Sequence, residues 1–217
     1  IRSLQDRLDE LVSVKAFGAM GDNTDQTIAI NRAITSLYIN SDYEVNEQGY
    51  VTLLFEPGIY RLSGSIAIPP NVTIKGAGID KTIFIQTANV ETFITVNSSG
   101  QYDLNSLDNS NQPNNIVLSD FTVRSTNASF NKSIIKLLSL KNSVLENIKL
   151  VGPTTDITTL NNIGLEFVSS SNLISNNLVY LKNIQIFDVR YGVYSDYDIS
   201  NIIMDNLNIN NTKKGIA

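Results

Sequence analysis

Four segments of this 217-residue chain align without gaps although they are unevenly spaced. They are Leu118-Ser119-Asp120-Phe121-Thr122-Val123, Leu145-Glu146-Asn147-Ile148-Lys149-Leu150, Leu181-Lys182-Asn183-Ile184-Gln185-Ile186 and Met204-Asp205-Asn206-Leu207-Asn208-Ile209. Each reads apolar, polar, Asn or Asp, apolar, polar, apolar. The central residues Phe121, Ile148, Ile184 and Leu207 stand 27, 36 and 23 residues apart. A recurring unit predicts stacked structure, and a propeller or helical array would hold its period more tightly. Parallel β coils stacked ~4.8 Å apart keep the strands in register, while the turns between them project into solvent and vary in length.

The repeat predicts which residues share a column. Leu118, Leu145, Leu181 and Met204 should pile up inside, as should Phe121, Ile148, Ile184 and Leu207, and Val123, Leu150, Ile186 and Ile209. Asp120, Asn147, Asn183 and Asn206 should occupy one corner, because Asn and Asp tolerate left-handed backbone and stacked amides can bond to one another. Gly164-Leu165, Gly192-Val193 and Gly215-Ile216 mark a second aligned set of strands, with Glu166 and Tyr194 facing outward beside buried Leu165 and Val193. Glu146, Lys182 and Asp205 form an outward column of alternating sign that reads as ion pairs between neighbouring coils. Gln101 to Asn115 and Ser125 to Lys132 are polar excursions from the coils.

Composition removes several chemistries. With neither Cys nor His, the chain has no disulfide, no thiolate nucleophile, no Cys/His zinc site and no histidine general base. No cofactor is expected, and Ca²⁺ is the metal best suited to the remaining oxygen donors. A formal net charge of −5 gives no basic footprint for nucleic acid. No apolar run reaches the length of a membrane span, and residues 1–11 lack the apolar stretch of a signal peptide.

At the N-terminus, Ile1, Leu4, Leu8 and Leu11 follow heptad spacing. Residues 1–11 fit either a helix docked on its own chain or the end of an oligomeric, trimeric stalk. Residues 12–49 read as a lead-in strand, Val12 to Phe17, and a capping helix from about Gln26 to Tyr38 with Ile30, Ala33, Ile34 and Leu37 on one face. Thr24 and Asp25 are candidate caps for it. Residues 50–217 read as coils. The start at Ile1 and the mid-coil character of Lys213 to Ala217 suggest a segment of a longer polypeptide.

Val12 to Ile34, with Phe17-Gly18-Ala19-Met20-Gly21-Asp22-Asn23-Thr24-Asp25 at its centre, resembles the opening motif of the pectate lyase superfamily β-helix domain. Leu54 to Tyr60 and Asn71 to Gly78 look like its next two signatures. Ala16, Asn23 and Gln26 depart from that pattern. In its detail the stretch resembles phage tailspike and tail-fibre proteins. The resemblance implies a structural cap role for Phe17, Gly18, Gly21, Asp22 and Asp25. It also implies a homotrimer in the virion tail, joined to other virion tail proteins ahead of Ile1 and adhering to host-surface polysaccharide. The expected fold is all-β: a single-stranded right-handed parallel β-helix with an N-terminal α-helical cap.

No catalytic residue is assigned. Relatives of this kind use Asp clusters with His, Asp-bound Ca²⁺ with Arg, or paired carboxylates; the second and third remain open to this chain. The candidate glycan-binding face is Glu166, Arg190, Tyr191, Tyr194, Asp196 and Asp198, with Asp188 and Tyr197 nearby. Aromatic rings and carboxylates on a flat outward face can hold sugars, although surface turns rich in Tyr and Asp are common. Three functions compete: an adhesive tail protein, a polysaccharide depolymerase using a carboxylate pair, and a secreted bacterial carbohydrate-active protein.

Overall fold

A computed structural model describes residues 11–39, 51–103, 107–108, 110–169, 176–195 and 199–217. Within them the chain forms β1 (Leu11–Ser13), a 3-10 turn (Val14–Phe17), β2 (Asp22–Asp25) and helix α1 (Thr27–Ile34), which continues as a π-turn (Thr35–Ile39). Then come β3 (Thr52–Leu54), β4 (Gly58–Leu62), β5 (Ile66–Ile68), β6 (Thr73–Lys75), β7 (Thr82–Gln86), β8 (Phe93–Thr95), β9 (Val117–Ser125), β10 (Ser133–Leu138), β11 (Lys141–Val151), β12 (Ile163–Val168), β13 (Asn177–Ser195) and β14 (Ser200–Ile216). These strands form one curled sheet, mostly parallel neighbours from successive passes of the chain, and the architecture is all-β with one short α-helix.

Three bands follow from the pairings. The first runs β1-β3-β6-β9-β11-β13-β14, and the third β5-β8-β10-β12 and on to the C-terminal ends of β13 and β14. Between them, β2-β4-β7 leads into the later halves of β9, β11, β13 and β14. The expected columns are present. Leu118 pairs with Leu145, Leu145 with Leu181, and Leu181 with Met204. Phe121, Ile148, Ile184 and Leu207 stack likewise, as do Val123, Leu150, Ile186 and Ile209. Side chains alternate across a strand, so these columns face inward and make one continuous core.

The corner between the first two bands carries the expected ladder. Asp120, Asn147, Asn183 and Asn206 all have left-handed backbone, with φ of 66°, 53°, 53° and 55°. Asn147 Nδ2 donates to Asp120 Oδ1 at 3.1 Å, Asn183 to Asn147 at 2.9 Å, and Asn206 to Asn183 at 2.8 Å. The ladder has a direction. Asp120 only accepts, so a carboxylate serves there, while Asn147 and Asn183 must both donate and accept. Asn183→Asp removes a donor and sets two oxygens face to face, which should cost about 1–3 kcal/mol. Asp120→Asn keeps its acceptor and should be nearly neutral. Denaturant midpoints of the two variants check this; equal losses would refute the directional reading.

A second corner stacks Asn71, Asn115, Asn142, Leu178 and Asn201, all at positive φ. Leu178 is the exception to its chemistry: a γ-branched residue at φ 54°, 39% exposed, where an L-residue other than Asn or Asp is disfavoured.

The N-terminal region differs from the sequence reading in three places. Residues 1–10 and 40–50 lie outside the described residues, but Leu11, expected to close a helix, begins β1 and pairs with Thr52. The expected strand from Val12 to Phe17 stops at Ser13, whose side chain accepts from Lys15 N and caps a 3-10 turn. Thr24 and Asp25, expected as helix caps, belong to strand Asp22–Asp25, which pairs with β4, and Gln26 takes the N-cap position of α1. Helix α1 seats Ile30, Ala33 and Ile34 in the core, and among the described residues no helix is long and apolar enough to cross a membrane.

Candidate functional site

The third band brings together side chains from four successive passes. Ile135, Leu165 and Val193 pair inward across β10, β12 and β13, which turns Lys136, Glu166 and Tyr194 outward in one row. Glu166 is held on one side by Ser133, whose hydroxyl donates to Oε2. Lys136 Nζ lies 3.5 Å from that same oxygen and 3.8 Å from Glu91 Oε1. Its ammonium also sits 5.5 Å from the centre of the Tyr102 ring. Burial alone would lower the Lys136 pKa, but the charges of Glu166, Tyr102 and Glu91 outweigh it and raise it. The Tyr102 hydroxyl is raised above its ordinary value, chiefly by burial.

Beyond Tyr194 the row continues into aromatic surface. The Tyr191 and Tyr194 rings lie 5.0 Å apart at 47°. Arg190 stands 5.0 Å and Lys214 5.6 Å from the Tyr191 ring centre, within cation–π range. Arg190 Nη1 is anchored by Asn161 Oδ1 at 2.8 Å. Glu166, Arg190, Tyr191 and Tyr194 are thus near one another. Asp196 and Asp198, with Tyr197, lie outside the described residues. Asp188 belongs instead to a corner, at φ 59° and accepting from Asn211.

The sequence reading did not include Glu91, Tyr102 or Lys136. Lys136 was accessible to it, since Ser133–Leu138 aligns with Ile163–Val168 at a 30-residue offset. Glu91 and Tyr102 arrive from loops that carry no repeat, and nothing in the sequence marks them. The arrangement offers a mixed-charge, ring-lined surface, with carboxylates already engaged by donors. Among the described residues no group of three or more His, Cys, Asp or Glu is placed to hold a metal ion.

The Phe17-to-Asp25 motif lies at the start of the sheet. Phe17 packs against the core, and Gly18 closes the 3-10 turn at φ 93°. Gly21 O accepts from Ile59 N. Asp22 accepts from the Thr24 hydroxyl and N–H and from Gln26 Nε2. Asp25 accepts from the Ser63 hydroxyl and from Thr27. The Thr24 hydroxyl above all holds the Asp22 carboxyl below its usual range, and the Ser63 hydroxyl does so for Asp25. Gln26, where the family pattern has Asp, ties Met20 N to this network through Oε1 at 2.8 Å.

Fold and sequence together define an all-β protein of successive parallel passes. The chain belongs to the rhamnogalacturonase A/epimerase, pectate lyase-like family, whose profile matches residues 11–217. It is 35% identical over 124 residues to the pre-neck appendage protein of Bacillus phage B103, a match covering 54% of this chain and 12% of that protein's length. Among solved structures it is similar to the N-terminal fragment of bacteriophage phi29 gene product 12, with a TM-score of 0.60 and 16% identity, over 91% of this chain and 36% of that one.

Proposed function

We propose that this chain is a rod-like segment of a phage tail appendage, homotrimeric and bound to other virion tail proteins, that adheres to host-surface polysaccharide through the outward face of the third band. Its curled sheet is read as a single-stranded right-handed parallel β-helix capped by α1. The observation that carries this reading is the 124-residue likeness to a phage pre-neck appendage protein. The Tyr191–Tyr194 pair supports adhesion, since ring faces can cover the C–H face of a sugar while charged neighbours meet its hydroxyls. Glu166 and Glu91 place two carboxylates around the one ammonium of Lys136, and a carboxylate pair is the machinery that glycoside hydrolases use. That favours a depolymerase as the second reading.

Sedimentation equilibrium should give three times the chain mass. On a panel of bacterial surface polysaccharides, the Tyr191→Ala/Tyr194→Ala double variant should bind at least tenfold more weakly than the parent, or about 1.4 kcal/mol. Unchanged binding would remove this face. New reducing ends formed by the parent and lost in Glu166→Gln would establish the second reading instead.

A further inference from the structure

The outward side of the first band carries a run of apolar side chains. Val117, Val144, Tyr180 and Ile203 pair in succession across β9, β11, β13 and β14, each beside a residue of the inward Leu118–Leu145–Leu181–Met204 column. Tyr180 is 42% and Ile203 45% exposed. Along one edge stand Glu146, Lys182 and Asp205, in register, with Lys182 Nζ donating to Glu146 Oε1 at 2.8 Å. The two rows enclose an open trough of about 530 Å³. The other edge is the corner with Leu178 and, in the same strand as Glu146, the exposed Lys141.

We propose that this apolar stripe is where copies of the chain meet, side by side, in the trimer. The inference rests on the trimeric reading above and adds the face that makes it. Three features single out a second copy as occupant. The stripe runs along the stacking direction with one residue every ~4.8 Å, so a straight partner with the same rise, as another copy is, can meet it along its whole length. Its lining is aliphatic and aromatic, and two of the three charged groups beside it are paired with each other, which leaves little to hold a polar ligand. Finally, its edges are complementary. In a ring closed about an axis parallel to the stack, the Glu146–Lys182–Asp205 edge of one copy, which stays net negative through Asp205 after its internal ion pair, faces the Lys141 edge of the next.

The absence of Cys from the chain permits a direct test. In Lys141→Cys/Glu146→Cys the two positions are five residues apart around the Asn142 corner, still roughly 13 Å, too far to close within a copy. Mild oxidation should therefore give a covalent trimer on a non-reducing gel. Tyr180→Glu should lower the solution mass threefold with an unchanged far-ultraviolet circular dichroism spectrum. If the parent is trimeric, but no cross-link forms and Tyr180→Glu stays trimeric, the face is wrong and the trimer stands. A monomeric parent overturns the trimer and this inference with it.

Discussion

Phe84→Ala should lower the melting temperature by roughly 10 °C, the largest loss expected of any single truncation in the core. Phe84 is fully buried at the centre of an aromatic cluster. Its ring lies 5.0 Å from Phe55, 5.5 Å from Tyr60, 5.1 Å from Phe93 and 5.3 Å from Phe121. Three of those four contacts are near-perpendicular, at 71°, 84° and 89°, the edge-to-face geometry that aromatic pairs favour. Tyr60, Phe84, Phe93 and Phe121 come from β4, β7, β8 and β9, and Phe55 follows directly on β3, so the cluster ties the early coils together. Truncating a buried Phe costs about 3–5 kcal/mol, the transfer of the ring plus the cavity it leaves. In a chain of this length each kcal/mol is worth about 2–4 °C. Phe84→Leu fills most of the volume and should cost less than half as much. Calorimetry of the two variants measures both. A loss below about 1 kcal/mol for the alanine variant would show that the cluster collapses around the gap and that its packing is not specific.

This core was legible because inward side chains keep their identity when turns change length. Leu118, Leu145, Leu181 and Met204 can be aligned by eye, and the asparagine corner follows from the same alignment. The aromatic cluster was less visible: Phe84 and Phe93 lie before the first clear repeat, where the strands are only three to five residues long. Local chemistry also defeated pattern at the N-terminus. Val12 to Phe17 alternates as a strand should, yet a single hydroxyl, that of Ser13, offers the backbone a turn instead. The candidate site was half readable. Glu166 and Tyr194 follow from alternation in neighbouring coils. Lys136 needed one further alignment. Glu91 and Tyr102 depend on where two non-repeating loops land, which no periodicity encodes. The stripe of Val144, Tyr180 and Ile203 was hidden inside the aligned segments' flanks, because a repeat draws attention to what is conserved in chemistry and these three residues share only their apolarity.

Gly152→Ala should destabilise the chain by about 3 kcal/mol or more, near the upper end for a single added methyl. A Cβ built there would lie 1.7 Å from Asp188 O, 2.7 Å from its carbonyl carbon and 2.9 Å from Asn162 Nδ2. The first two are backbone atoms of the next coil, which pairs with this one and accepts from Gly152 N through Phe187 O at 2.9 Å. Neither coil can yield without breaking that register. The need for glycine is therefore spatial. Gly76 repeats the arrangement one ladder earlier, with a would-be Cβ 2.2 Å from Asp120 O. In both places glycine stands one coil before an Asp at positive φ, and an Asn stacks on that Asp: Asn147 on Asp120, Asn211 on Asp188. Glycine admits the bulging carbonyl, Asp starts the ladder as acceptor, and Asn extends it. The order is a physical rule for beginning a corner, and it makes the expectation specific. Gly152→Ala and Gly76→Ala should both fail, whereas Gly18→Ala, with nothing within 4 Å of its would-be Cβ, should lose only the roughly 1–2 kcal/mol of its left-handed backbone. Urea titrations of the three variants decide it. A mild Gly152→Ala would mean that the coils can part at this corner and that the Gly–Asp–Asn order is coincidence.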